Sequence, residues 1–147
     1  MIVPDTNLLI FAYDLSADRH RQARRWWEAV LSGDEPVGIP WIVVLAFTRL
    51  LTHTTICSRP MTCREVRNCI EQWLKQPHVR LLSPTADTLA FYFHLLEAAK
   101  IGGNLCTDAM IAAHALESGG VVYSDDRDFG RFKELKWRNP LAGERLS

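Results

Sequence analysis

Four short apolar runs, each divided from the next by stretches of helical periodicity, constrain this chain more than any other feature. They are Met1 to Pro4, Pro36 to Ile39, Val79 to Leu82 and Val121 to Tyr123, with Leu135 to Trp137 as a short fifth candidate. Runs of this kind fit strands buried on both faces, and strands alternating with single or paired helices predict a parallel sheet covered on both sides. With 147 residues and 48% apolar composition, the expected organisation is one domain, residues 1–147, around one core.

The intervening segments carry helix start and stop signals. Thr6 or Asn7 is expected to cap a helix over Leu8 to Leu15, and Asp18 a second over His20 to Leu31, with Ala23, Trp27, Val30 and Leu31 facing inward. Trp41 to Thr52 is almost wholly apolar, which predicts burial on most sides. After a loop over His53 to Pro60, Thr62 and Glu65 form a capping box for a helix reaching about Lys75. Thr85 to Lys100 repeats Leu89, Phe93 and Leu96 at helical spacing before Gly102 and Gly103, and Asn104 to Ser118 holds a last helix, closed by Gly119 and Gly120.

Several functional classes are disfavoured. The longest apolar run, Trp41 to Phe47, is far below the ~20 residues of a membrane helix, and no apolar signal segment opens the chain, so a soluble cytoplasmic protein is expected. Cys57, Cys63, Cys69 and Cys106 form no C-x-x-C pair, the five histidines show no zinc-ligand spacing, and the thiols read as reduced core fillers. Net charge is zero, so no global basic field advertises nucleic acid; Arg21, Arg24 and Arg25 read as a solvated helix face.

The acids are harder to explain. Asp125, Asp126 and Asp128 place three like charges within four positions directly after an apolar run. In an open parallel sheet ligands bind beyond the carboxyl ends of the strands, where Asp5 and the pair Asp126 and Asp128 are expected to fall. Asp108, in the first turn of the preceding helix, suits the positive end of its dipole. Each acid alone has an ordinary reading as a helix cap, dipole partner or solvated turn. If all four converge, a hard divalent cation such as Mg²⁺ or Mn²⁺ would offset their repulsion.

The segments "VPDTNLLIFAYD", "NLCTDAMIAAHALE" and "YSDDRDFGRF" together resemble, in order and separation, the three acidic blocks of PIN-domain ribonucleases. With "IPW" at residues 39 to 41, "GNLCTDA" and "RFKELKWRNPL", nearly the whole chain resembles the VapC toxins of bacterial VapBC toxin–antitoxin pairs. This resemblance implies a PIN-like three-layer α/β/α fold with a central, mostly parallel twisted sheet of four to five strands. It implies a Mg²⁺-dependent endoribonuclease, with Mn²⁺ as a substitute, that hydrolyses phosphodiester bonds of tRNA or rRNA. Asp5, Asp108 and Asp126 would be catalytic metal ligands, with Asp128 a further acid and Asn7 and Ser124 supporting donors. Asp125 matches a variable position and is expected to face solvent. A VapB-type antitoxin and a homodimer are the implied protein partners.

One position departs from the pattern. Where the family usually carries E-x-x-R on the helix after strand two, this chain has "AFTR", with Ala46 in place of the acid and Arg49 retained. The missing carboxylate weakens a second metal most and leaves Arg49 either to meet a phosphate or to lie on the surface. It also motivates an alternative, a catalytically weak PIN-fold module that binds RNA or protein. A phosphoacceptor receiver domain, which also uses an acidic Mg²⁺ pocket, needs an aspartate after its central strand; strand three ends in Ser83 and Pro84, which sets that reading aside.

Overall fold

The computed structural model describes residues 1–142; residues 143–147, included in the expected domain, lie outside the described ones. Five parallel strands form one sheet: β1 (Ile2–Pro4), β2 (Val37–Pro40), β3 (Val79–Leu82), β4 (Val121–Tyr123) and β5 (Trp137–Arg138). Six helices cover it: α1 (Thr6–Tyr13), α2 (His20–Ser32), α3 (Trp41–Leu51), α4 (Cys63–Leu74), α5 (Ala86–Ala99) and α6 (Cys106–Ser118). This is the expected α/β/α arrangement, with the last strand shifted from Leu135 to Trp137 onto Trp137–Arg138.

The strand order β3-β2-β1-β4-β5 places the first strand at the centre. The chain first builds outward through β2 and β3, then returns to the other side of β1 with β4. Order therefore reverses between β1 and β4, and a crevice opens beyond their carboxyl ends. Pairing of Pro4 with Tyr123 fixes the register, and the Asp5 amide donates to the Tyr123 carbonyl at 2.9 Å. The turn feeding β4 is tight: Gly119 ends α6 in the left-handed region (φ 67°), and a Cβ on Gly120 would lie 2.8 Å from the Met1 carbonyl oxygen.

An aromatic cluster joins the first four helices. Trp27, Phe47 and Trp73 are fully buried, Trp73 meets Trp27 and Phe47 edge-on at 5.4 and 4.9 Å, and its indole N–H donates to the Tyr13 hydroxyl at 2.8 Å. Each such side chain is worth about 1.5–3 kcal/mol of burial, so this cluster anchors α1 and α2 over the sheet. The capping box of Thr62 and Glu65 forms as the sequence predicts.

Some local expectations fail for identifiable reasons. Asp18 does not cap α2; the chain enters through a turn in which the Asp14 carboxylate accepts from Ser16, and Arg19 occupies the cap position without capping the helix through its side chain. Helix α1 starts two residues before Leu8 because Asp5 itself caps it. In α3 only Val43, Phe47 and Leu51 are buried, leaving Trp41 and Leu45 51% and 68% exposed, so an apolar sequence here does not mean burial all round. Leu89 and Phe93 also face outward, since α5 turns Thr88 and Leu95 to the core instead. Of the cysteines, Cys57 is buried in the core and Cys69 packs against it, while Cys63 is exposed.

The largest correction concerns Asp125, which does not face solvent. Arg19 Nη1 donates to both its carboxylate oxygens at 3.2 and 3.3 Å, and Asn139 Nδ2 donates to Oδ1 at 2.7 Å. Arg19 also donates to the Leu141 carbonyl, and the Leu141 amide to Asn139 Oδ1. The expectation failed because the partners lie 106 and 14 residues away, beyond the reach of local pattern. Asp125 thus ties the start of α2 and the segment after β5 to the end of β4. Asp125→Ala leaves a largely buried guanidinium without its carboxylate and is expected to lower unfolding free energy by about 1–3 kcal/mol, read by urea denaturation. A loss under about 0.3 kcal/mol would show the node to be dispensable.

Candidate active site

The crevice between β1 and β4 is built around one hydroxyl. Ser124, fully buried at the end of β4, donates to Asp5 Oδ2 at 2.6 Å, and its oxygen accepts from the Asp126 amide at 2.9 Å and from Asn7 Nδ2 at 3.3 Å. It therefore couples the first acid to the backbone of the second. Asp5 Oδ1 accepts from the Thr6 amide at 2.7 Å, which seats the carboxylate at the start of α1. Asp126 Oδ1 accepts from the Asp128 amide at 2.9 Å, opening the 3₁₀ turn Arg127–Arg131, whose Phe129 is buried beneath it.

Helix α6 brings Asp108 in from the other side. Carboxylate oxygens of Asp108, Asp126 and Asp128 lie within 4.8 Å of one another. Asp5 stands outside that trio, its oxygens engaged by Thr6 and Ser124, but its charge reaches it. Burial, followed by repulsion from Asp5, Asp126 and Asp128, pushes the Asp108 carboxyl up to about 7. Burial, with a smaller contribution from Asp126, raises Asp5 to about 6 against the opposing hydrogen bonds from Ser124 and Thr6. The four aspartates named from sequence thus share one electrostatic field, and Asn7 and Ser124 lie within it. Asp125 turns away toward Arg19, which explains how three acids fit into four positions: two face the crevice and one faces a cation.

A family model described as the PIN domain matches residues 2–135. The chain belongs to the PIN-domain family. Within it, the chain is a VapC-type ribonuclease: ribonuclease VapC33 of Mycobacterium tuberculosis is 33% identical over 141 residues, covering 96% of this chain and 99% of that protein. Solved structures share the fold. VapC20 of Mycobacterium tuberculosis, described as a sarcin-ricin loop cleaving toxin, aligns with a TM-score of 0.68 at 21% identity, over 88% of this chain and 93% of that one. A toxin–antitoxin complex from Klebsiella pneumoniae aligns with a TM-score of 0.68 at 17% identity, over 95% of this chain and 98% of that one.

The PIN crevice suits a hard divalent cation on its own chemistry. Its donors are carboxylate oxygens from two segments that lie within 4.8 Å of one another, and their mutual repulsion adds to burial in raising Asp108. The ion pair at its edge is loose: Arg131 Nε lies 3.6 Å from Asp128 Oδ1, with both side chains about half exposed. Helix α3 carries no acid, and Ala46 stands where the sequence resemblance led a glutamate to be expected. Arg49 is exposed, and among the described residues makes no hydrogen bond or ion pair.

Both raised carboxyls bind protons more tightly folded than unfolded. Their stabilisation is therefore full below about pH 4 and is lost as pH rises through about 6 and 7. Asp108→Asn removes part of this penalty. In EDTA its melting temperature should exceed that of the parent at about pH 7.5, and the gap should shrink toward about pH 5. A gap independent of pH would contradict the shared field.

Proposed function

We propose that this VapC-type ribonuclease is Mg²⁺-dependent, with Mn²⁺ as a substitute, and cuts a loop of tRNA or rRNA as the toxin of a VapBC pair. The observation that carries the reading is the meeting of Asp108, Asp126 and Asp128 within 4.8 Å of one another, close enough to Asp5 for its charge to raise Asp108. Asp5, Asp108 and Asp126 are the catalytic, metal-holding acids and Asp128 a further one. A bound Mg²⁺ supplies an acidified water and counter-charge for the phosphoryl oxygens.

The chain's own residues do the rest. Ser124 fixes the Asp5 carboxylate and, through the Asp126 amide, the start of the turn that carries Asp126 and Asp128. Asn7 holds Ser124 in that position. Asp108, with a carboxyl near 7, passes between protonated and ionised states close to neutral pH when the crevice is empty. With no acid from α3, the charge count favours a single ion over a preformed pair. Arg49 is available to a substrate phosphate.

The ribonuclease relatives support cleavage over the binding-only reading raised by Ala46. A small VapB-type antitoxin would restrain the enzyme in the cytoplasm, consistent with the toxin–antitoxin complex among the solved structures. Among the described residues no helix is long and apolar enough to cross a membrane. Exposed Trp41 and Leu45 on α3, and Leu89 and Phe93 on α5, are apolar surface of the kind that an antitoxin or a second copy covers.

Incubation with structured RNA and Mg²⁺ should give 5′-phosphate and 3′-hydroxyl ends. Asp126→Asn and Asp5→Asn should abolish detectable cleavage, while Ser124→Ala, which loosens rather than removes a carboxylate, should cost about 10- to 100-fold. Cyclic phosphate ends would point to attack by the ribose hydroxyl, and full activity in Asp126→Asn would overturn the assignment.

A further inference from the structure

RNA is a polyanion, and a crevice lined by four aspartates repels it. Net charge is zero, so the whole molecule supplies no compensating attraction. Any attraction for the strand must therefore be local and close to the acids. The 3₁₀ turn Arg127–Arg131 leads from the crevice to such a place. Arg131 pairs loosely with Asp128 and also lines a depression of about 500 Å³ between this turn and the end of α5.

Lys100 and Lys133 line it beside Arg131, and half-buried Ile101, over the buried Phe132, gives it an apolar floor. Both lysines are exposed. The acid at the edge, Glu134, is already engaged by His94 at 2.7 Å. Three of the chain's four lysines, Lys100, Lys133 and Lys136, fall in the segments flanking Asp108 and Asp128. Lys100 also holds a left-handed backbone (φ 54°), the sole non-glycine with positive φ among the described residues. A side chain with a Cβ is disfavoured there, and glycine would remove the strain.

We propose that this depression is a subsite for the RNA strand flanking the cleaved bond. Lys100, Lys133 and Arg131 take backbone phosphates, and the apolar floor accepts the face of a base or ribose. The proposal rests on the ribonuclease reading and extends it by naming where the strand is held. Arg131 joins the two sites, since its guanidinium touches an acid of the crevice and borders the subsite. Sequence-independent grip of this kind matches single-stranded RNA, which offers phosphates and exposed base faces together.

The test is fluorescence anisotropy of a labelled mixed-sequence oligoribonucleotide, in EDTA so that metal-dependent cleavage does not consume the probe. Lys100→Gly combined with Lys133→Ala removes two charges while relieving the left-handed strain; Lys133→Ala alone is the second variant, and Lys75→Ala, at the end of α4, controls for net charge. Arg131 is left intact because it also touches Asp128. The double variant should bind about tenfold more weakly, with a salt dependence of log affinity shallower by about 1.4, and Lys133→Ala by about half of that; Lys75→Ala should stay within about twofold.

Parent-like affinity in the double variant, equal weakening by Lys75→Ala, or no binding by the parent overturns the subsite. An acidic protein segment as the true occupant would give the first of these results. Lysine-dependent binding by a parent that cleaves no RNA with Mg²⁺ leaves the subsite standing and removes the ribonuclease reading instead.

Discussion

The Ser124 hydroxyl, donated to Asp5 across the junction of β1 and β4, is the contact on which the site depends. It lies where strand order reverses, so the carboxyl ends of two strands distant in sequence are adjacent by topology rather than by any special attraction between them. Left to themselves, Asp5 and the acids after β4 would repel. The hydroxyl works against that by lowering the proton affinity of one acid while receiving the amide of another. Burial and mutual repulsion both oppose this arrangement, and under the proposed function a bound cation would offset them.

The segment from Ser124 to Arg131 directs five polar or charged side chains. Ser124 faces Asp5, Asp125 faces Arg19 and Asn139, Asp126 and Asp128 face the crevice, and Arg131 reaches from Asp128 toward the neighbouring depression. Anchoring beneath the turn comes from Phe129 and Phe132, both buried, while the long-range bonds of Ser124 to Asp5 and of Asp125 to Arg19 hold the polar groups above them. A stable platform and a strained electrostatic centre thus share about a dozen residues. The Asp125 node belongs to the platform: it fixes α2 and the post-β5 segment, and keeps one of the three clustered acids out of the crevice.

Much of this was legible in the sequence, for physical reasons that differ by element. The buried strands and the Thr62–Glu65 box depend on local composition and spacing, which sequence displays directly. Asp5, Asp108, Asp126 and Asp128 were readable as a set because their motifs recur together in PIN domains, and the structure places them in one field. Arg19 as the partner of Asp125 was not readable, since nothing local marks a contact across 106 residues. The outward faces of α3 and α5 were also hidden: periodicity shows that a helix is apolar but not whether its neighbours cover it.

A protein built this way should hold a cation before it holds RNA. Anomalous diffraction from crystals soaked in millimolar Mn²⁺ tests that claim most directly, because it locates the ion without relying on activity. The account predicts a single strong peak among the carboxylates of Asp5, Asp108, Asp126 and Asp128. An empty crevice at full soaking, or a peak held by other residues, would contradict it.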